Sequence, residues 1–146
     1  AGNFNHAKTD FPLLGKHAKV ECKKCHLTPA FKDAKSECIA CHKKDDKHKL
    51  RLGPDCGQCH NARDWKAWNF DHDKRTHFIL DGGHKGIDCL ACHRKPMERK
   101  VSLSGTCASC HDDDDVHHGE FGRDCQRCHV TSSFKKIRSG IGGMPR

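Results

Sequence analysis

All twelve cysteines of this 146-residue chain fall into one five-residue arrangement, C-x-x-C-H. The six copies are Cys22-Lys23-Lys24-Cys25-His26, Cys38-Ile39-Ala40-Cys41-His42, Cys56-Gly57-Gln58-Cys59-His60, Cys89-Leu90-Ala91-Cys92-His93, Cys107-Ala108-Ser109-Cys110-His111 and Cys125-Gln126-Arg127-Cys128-His129. This spacing is the signature of covalent haem c attachment, in which two thiols form thioethers to the vinyl groups and the following imidazole ligates the iron. The two-residue gap sets both sulfurs along one edge of a flat macrocycle while the next side chain points at its centre. Six C-x-x-C pairs could instead build three four-cysteine zinc sites, six disulfides or redox-active dithiols. None of these needs a His after every second Cys, and with 14 His in 146 positions the chance of six such placements is roughly one in a million. The expected cofactors are therefore six covalently attached haem c groups. The twelve cysteines would hold them, with His26, His42, His60, His93, His111 and His129 as proximal iron ligands.

The other eight histidines follow a repeat. Phe4-Asn5-His6, Gly15-Lys16-His17 and the first motif recur as Phe70-Asp71-His72, Gly82-Gly83-His84 and the fourth motif. His48 lies six residues after His42, and His117 lies six after His111; Trp65 and Phe134 each follow the last motif histidine of their half by five. The chain is thus read as a tandem duplication: residues 1–66 form one three-haem module, residues 67–136 a second, and residues 137–146 a tail. His6, His17, His48, His72, His84 and His117 form three repeat-equivalent pairs, the number needed to give every iron a second axial ligand. His77 aligns with Asp10 and His118 with Lys49, so these two are expected at the surface. Met97 and Met144 have no counterparts and offer no rival ligand scheme.

The elements that position these groups must be short. The residues preceding the first cysteines are Glu21, Glu37, Asp55, Asp88, Thr106 and Asp124, types that cap or electrostatically favour a helix N-terminus. Each motif is accordingly expected to open a short helix. Phe4, Phe11, Phe31, Trp65, Phe70, Phe78 and Phe134 flank the motifs and are expected to pack on porphyrin faces. The run Asp112 to Asp115 has a mixed-sign counterpart, Lys43-Lys44-Asp45-Asp46, and reads as a solvated face.

Composition makes the same demand for a non-protein core. Leu, Ile, Val and Phe together number 24 of 146 residues, beside 32% charged residues and a formal charge of +8. Such a chain usually cannot bury enough apolar surface to offset the entropy of ordering. The expected fold class is mostly irregular with short α-helices, a haem-packed core and little or no β-sheet. No apolar run approaches the roughly 18 residues of a membrane span, so the chain is not expected to span a membrane. The start at Ala1-Gly2 resembles what remains when a secretory signal is removed.

With these residues, the chain resembles the multihaem c-type cytochromes, and among them the class III branch of three-haem c7 and four-haem c3 proteins. The resemblance covers about residues 4 to 134. It rests on an upstream Phe-x-His, a second His before the first motif and a His between later motifs. One departure is the separation of His6 from His17 by eleven residues, where the small c7 proteins keep these histidines close, so the haem each serves is not carried over. The resemblance implies a periplasmic or extracellular electron-transfer protein rather than an enzyme, with redox-protein donors and acceptors or further copies of itself as partners. Two alternatives share the same haems: a subunit of an extracellular cytochrome filament, and an electron-feeding or catalytic subunit of a multihaem reductase. Twelve ionised propionates and six ferric cores would turn +8 into roughly +2, and reduction into roughly −4, so nucleic acid is not an expected partner. Intact mass spectrometry should give the polypeptide plus six haems; a smaller increment would mean that some motifs are unused.

Overall fold

Short helical turns begin at the cysteine motifs, as their spacing requires. A computed structural model describes residues 4–139. Four motifs open α-helical turns: α1 (Cys22–Cys25), α2 (Cys38–His42), α4 (Cys89–Cys92) and α5 (Ala108–His111). The third and sixth tighten into 3-10 turns, Cys56–Gln58 and Cys125–Arg127. Helix α3 (His72–Arg75) belongs to an upstream histidine, and its N-cap Asp71 accepts from the Lys74 N–H. The one sheet among the described residues is an antiparallel pair, β1 (His129–Val130) with β2 (Ser133–Ile137). The fold is thus mostly irregular, with short helices and little β-structure, as the composition led us to expect.

Side-chain capping departs from expectation at most motifs. Only Asp88 caps its helix, accepting from the Leu90 N–H at 2.8 Å. Glu21 and Glu37 make no such bond, since a glutamate carries an extra methylene that the short capping geometry does not accommodate. Asp55 and Asp124 instead accept from the side-chain amides of Gln58 and Gln126, at 2.8 and 3.1 Å, across their 3-10 turns.

The chain divides into two units. One runs to Phe70 and takes in Lys95–Val101 from the second repeat, whose Met97 N–H donates to the Leu50 carbonyl at 2.9 Å. The other holds Asp71–Arg94 and the chain from Ser102 onward. The tail read from sequence lies largely outside the described residues.

Neither unit has a protein core in the usual sense. Among the described residues Ala108 alone is buried, while Phe4, Leu27, Phe31, Trp65, Trp68 and Phe134 are exposed. The chain presents 13174 Å² of accessible surface. A folded monomer of its mass presents about 7500 Å². The excess measures how much apolar and backbone surface the polypeptide cannot cover by itself.

One backbone device recurs in both units. Gly15 and Gly82 have φ of +55° and +51°, and a Cβ at either would run into the backbone of Ala62 or Thr131. The next residues donate to those same carbonyls, Lys16 to Ala62 at 3.2 Å and Gly83 to Thr131 at 2.8 Å. Each glycine thus pins the segment carrying His17 or His84 against the chain that follows the third or sixth motif. Gly15→Ala and Gly82→Ala should each cost at least about 1–2 kcal/mol through the left-handed conformation alone. Denaturant unfolding would measure it.

Candidate functional site

The histidines meet in pairs. Ring centres lie 5.9 Å apart for His6 and His26, 6.1 Å for His17 and His42, and 6.2 Å for His48 and His60. In the second repeat the spacing is 6.1 Å for His84 and His111 and 6.0 Å for His117 and His129. His93 has its pKa lowered, first by burial and then by the charge of His72; these two are the repeat counterparts of the His26 and His6 pair. Five of the six motif histidines therefore lie against a second imidazole, and those pairs follow the repeat. The order is the same in each half: the first upstream histidine serves the first motif, the second serves the second, and the histidine between motifs serves the third.

This spacing has a simple chemical meaning. Two ring nitrogens each bound at about 2 Å to a metal between them, with the distance from each nitrogen to its ring centre added, give a centre-to-centre gap of about 6 Å. Among the described residues no three Cys, His or carboxylates converge as a zinc site requires. Two imidazoles at this spacing would fit one metal between them. A haem would fit between two such imidazoles, and the adjacent C-x-x-C thiols are the residues that would attach it.

Hydrogen bonds at Nδ1 orient several of the rings and leave Nε2 available to bind a metal. The His42 and His111 Nδ1–H groups donate to Asp45 at 2.9 Å and Asp114 at 2.8 Å. Those of His60 and His129 donate to the backbone carbonyls of Trp65 (2.8 Å) and Phe134. The His72 Nδ1–H donates to the Phe78 carbonyl at 2.7 Å. Fixing one imidazole nitrogen in this way sets ring orientation and tautomer, and raises the basicity of the other. By contrast, the Nδ1 atoms of His6, His26, His84 and His93 are buried without a hydrogen-bond partner.

Aromatic side chains enclose the imidazoles. Trp65 stacks on His60 at 4.1 Å and Phe134 on His129 at 4.6 Å, so each supplies both a ring face and a carbonyl to one histidine. Phe11 and Phe78 meet His17 and His84 edge-on at 5.5 and 5.6 Å. Phe4, Phe31 and Phe121 contact His6, His26 and His117. Neighbouring motifs also approach one another. Burial pushes the Cys56 thiol pKa up, with Cys38 and Asp46 adding to the shift, and Phe134 touches His111 as well as His129.

The acidic run is not merely a solvated face. Asp112 pairs with Arg123 at 2.9 Å, and Asp114 holds His111. Asp115 accepts from the N–H groups of His117 and Gly119, and its equivalent Asp46 accepts from those of His48 and Leu50. These backbone bonds hold the Asp115 carboxyl below the usual carboxylate range. Sequence reading missed this role, although its signal was present: both halves carry C-H-x-x-D-D-x-H, at Cys41 to His48 and Cys110 to His117.

His77 and His118 are exposed. His118 occupies a left-handed turn position at φ +52°, as its counterpart Lys49 does at +53°, so it serves the turn and not the pair. Comparison with protein families, with curated proteins and with solved structures gives no match. In the holoprotein, His48→Ala should convert one haem of six to a high-spin spectrum, seen by electron paramagnetic resonance. His77→Ala and His118→Ala should leave all six low-spin.

Proposed function

We propose that the chain is a six-haem c-type electron carrier in which every iron has two histidine ligands. The observation that carries this reading is the pairing of five of the six motif histidines with a second imidazole at about 6 Å, with His72 close enough to the sixth, His93, to add to the lowering of its pKa by burial. Bound haem supplies one-electron chemistry, and the protein's part is to hold, orient and tune it. Six motifs in 146 residues is one per about 24, too few for the polypeptide to insulate the groups from one another. The approach of Cys38 to Cys56, and the bridging of His111 and His129 by Phe134, support close electronic contact between adjacent sites within a unit.

The chain's own residues favour electron transfer over catalysis. A second imidazole at each site closes the position that a substrate would need. The rings of Phe11, Phe78, Trp65 and Phe134 pack against histidines that would hold the haem and would limit water there. Two imidazole ligands and solvent exposure both favour low potentials. Partners would be redox proteins or further copies of the chain, met through small transient interfaces. Among the described residues no helix is long and apolar enough to cross a membrane. Covalent attachment of haem c implies assembly outside the cytoplasm, and hence a periplasmic or extracellular setting.

Carbon monoxide tests the reading directly. The reduced holoprotein should bind almost none, because no coordination position is open. Stoichiometric binding at one or more haems would favour a reductase and sink the fully bis-histidine scheme.

A further inference from the structure

We propose that Asp45 and Asp114 are positioning residues that lower the potential of the second haem of each module, the second and fifth haems of the chain. This inference rests on the electron-carrier reading above. Its basis is the graded set of groups that accept from Nδ1 of the motif histidines. In the second and fifth motifs the acceptor is a carboxylate, Asp45 at 2.9 Å and Asp114 at 2.8 Å. The third and sixth use a neutral backbone carbonyl, from Trp65 and Phe134. In the first and fourth, Nδ1 of His26 and His93 is buried and has no partner.

The backbone explains how the carboxylates reach their targets. Helix α2 runs straight into a 3-10 turn, Lys43–Asp45, and α5 into Asp112–Asp114. This continuation brings the residue three after each histidine beneath its ring. An anionic acceptor draws the Nδ1 proton toward itself, makes the imidazole a stronger donor to iron and so favours the ferric state. A neutral carbonyl does this less, and an unpartnered nitrogen not at all. At the third and sixth sites Asp46 and Asp115 also face an imidazole, but from farther off than Asp45 and Asp114 face theirs, so their pull is weaker. They lie 3.8 and 3.3 Å from His48 and His117, and both oxygens of each already accept from backbone N–H groups. The couple at each site is one electron at one iron, exchanged with a neighbouring haem, and no bond is made or broken.

Asp45 and Asp114 are 75% and 72% exposed, so water screens part of the effect. In the holoprotein, Asp45→Asn should shift the ferric-to-ferrous ratio of the second haem at fixed potential by about 3- to 10-fold toward ferrous. The upper figure is about 59 mV for one electron. Asp114→Asn should do the same at the fifth haem. The measurement is a potentiometric titration followed through the haem-methyl proton resonances, assigned with the axial histidine variants. Asp113→Asn is the control: it removes the same charge one residue away, from an exposed side chain that bonds no axial histidine. A selective shift in each aspartate variant, absent from the control, supports the proposal. No shift, or an equal shift at all six haems or in the control, overturns it. Intact mass is taken first on every protein: fewer than six haems on the unaltered chain would overturn the electron-carrier reading instead, and six haems with no selective shift would overturn only this inference.

Discussion

Two imidazoles held about 6 Å apart set the terms for everything else in this chain. With Ala108 the sole buried residue among those described, apolar burial does not offset the entropy of ordering about 140 residues. On the proposed reading, bonds to a haem between the rings would do so, together with its contacts to the exposed aromatics. The loops they close run from 12 residues, between His48 and His60, to 27, between His84 and His111. Closure entropy rises by only about 0.6 kcal/mol for each doubling of loop length. The short and the long pairings therefore cost nearly the same to close, and neither constrains the sequence strongly toward local contacts.

The order of the pairings matters more than their length. In each half the loop closed by the first motif overlaps the loop closed by the second: His17 lies between His6 and His26, and His84 between His72 and His93. The first and second sites are consequently built from interleaved segments. The third site is a self-contained loop, from His48 to His60 or from His117 to His129. Two links tie it back. One is the glycine that docks the His17 or His84 segment onto the chain after the third or sixth motif; the other is the ring that follows that motif, Trp65 or Phe134. In the second unit Phe134 also reaches His111, so one side chain spans two sites.

Much of this was legible in the sequence because covalent chemistry and duplication both leave fixed spacings. The motifs, the six further histidines and the scarcity of regular structure could be read from residue types and offsets alone. Which upstream histidine faces which motif could not, because that depends on how the interleaved loops cross, and spacing does not encode it. The roles of Asp45, Asp46, Asp114 and Asp115 were hidden for another reason. Charge runs are usually solvated, and the mixed signs of Lys43-Lys44-Asp45-Asp46 masked the fact that only the last two positions carry the same residue in both halves. Capping was over-read in the opposite sense. An acidic residue before a motif favours a helix start by its charge, whereas the capping bond also needs a short side chain with no better partner, a condition met at Asp88 and not at Asp55 or Asp124.

The two copies also separate what ligation demands from what it tolerates. Groups that hold a ring by Nδ1 at the second and third sites of each half are the same in kind: a carboxylate at His42 and His111, a carbonyl at His60 and His129. The upstream histidines differ. The His72 Nδ1–H donates to the Phe78 carbonyl with the Thr76 hydroxyl alongside, whereas Nδ1 of His6 is buried without a partner even though Thr9 and Phe11 stand at the equivalent positions. In the first copy the Thr9 hydroxyl donates instead to the His6 carbonyl, at 2.8 Å. The same residue types thus produce two arrangements, which means that the orienting contact at this ligand is set by loop conformation and not by residue identity. Since the basicity of a ligating imidazole follows its Nδ1 partner, haems held as proposed at the first and fourth sites would differ in potential between two modules of common ancestry without any change of ligand.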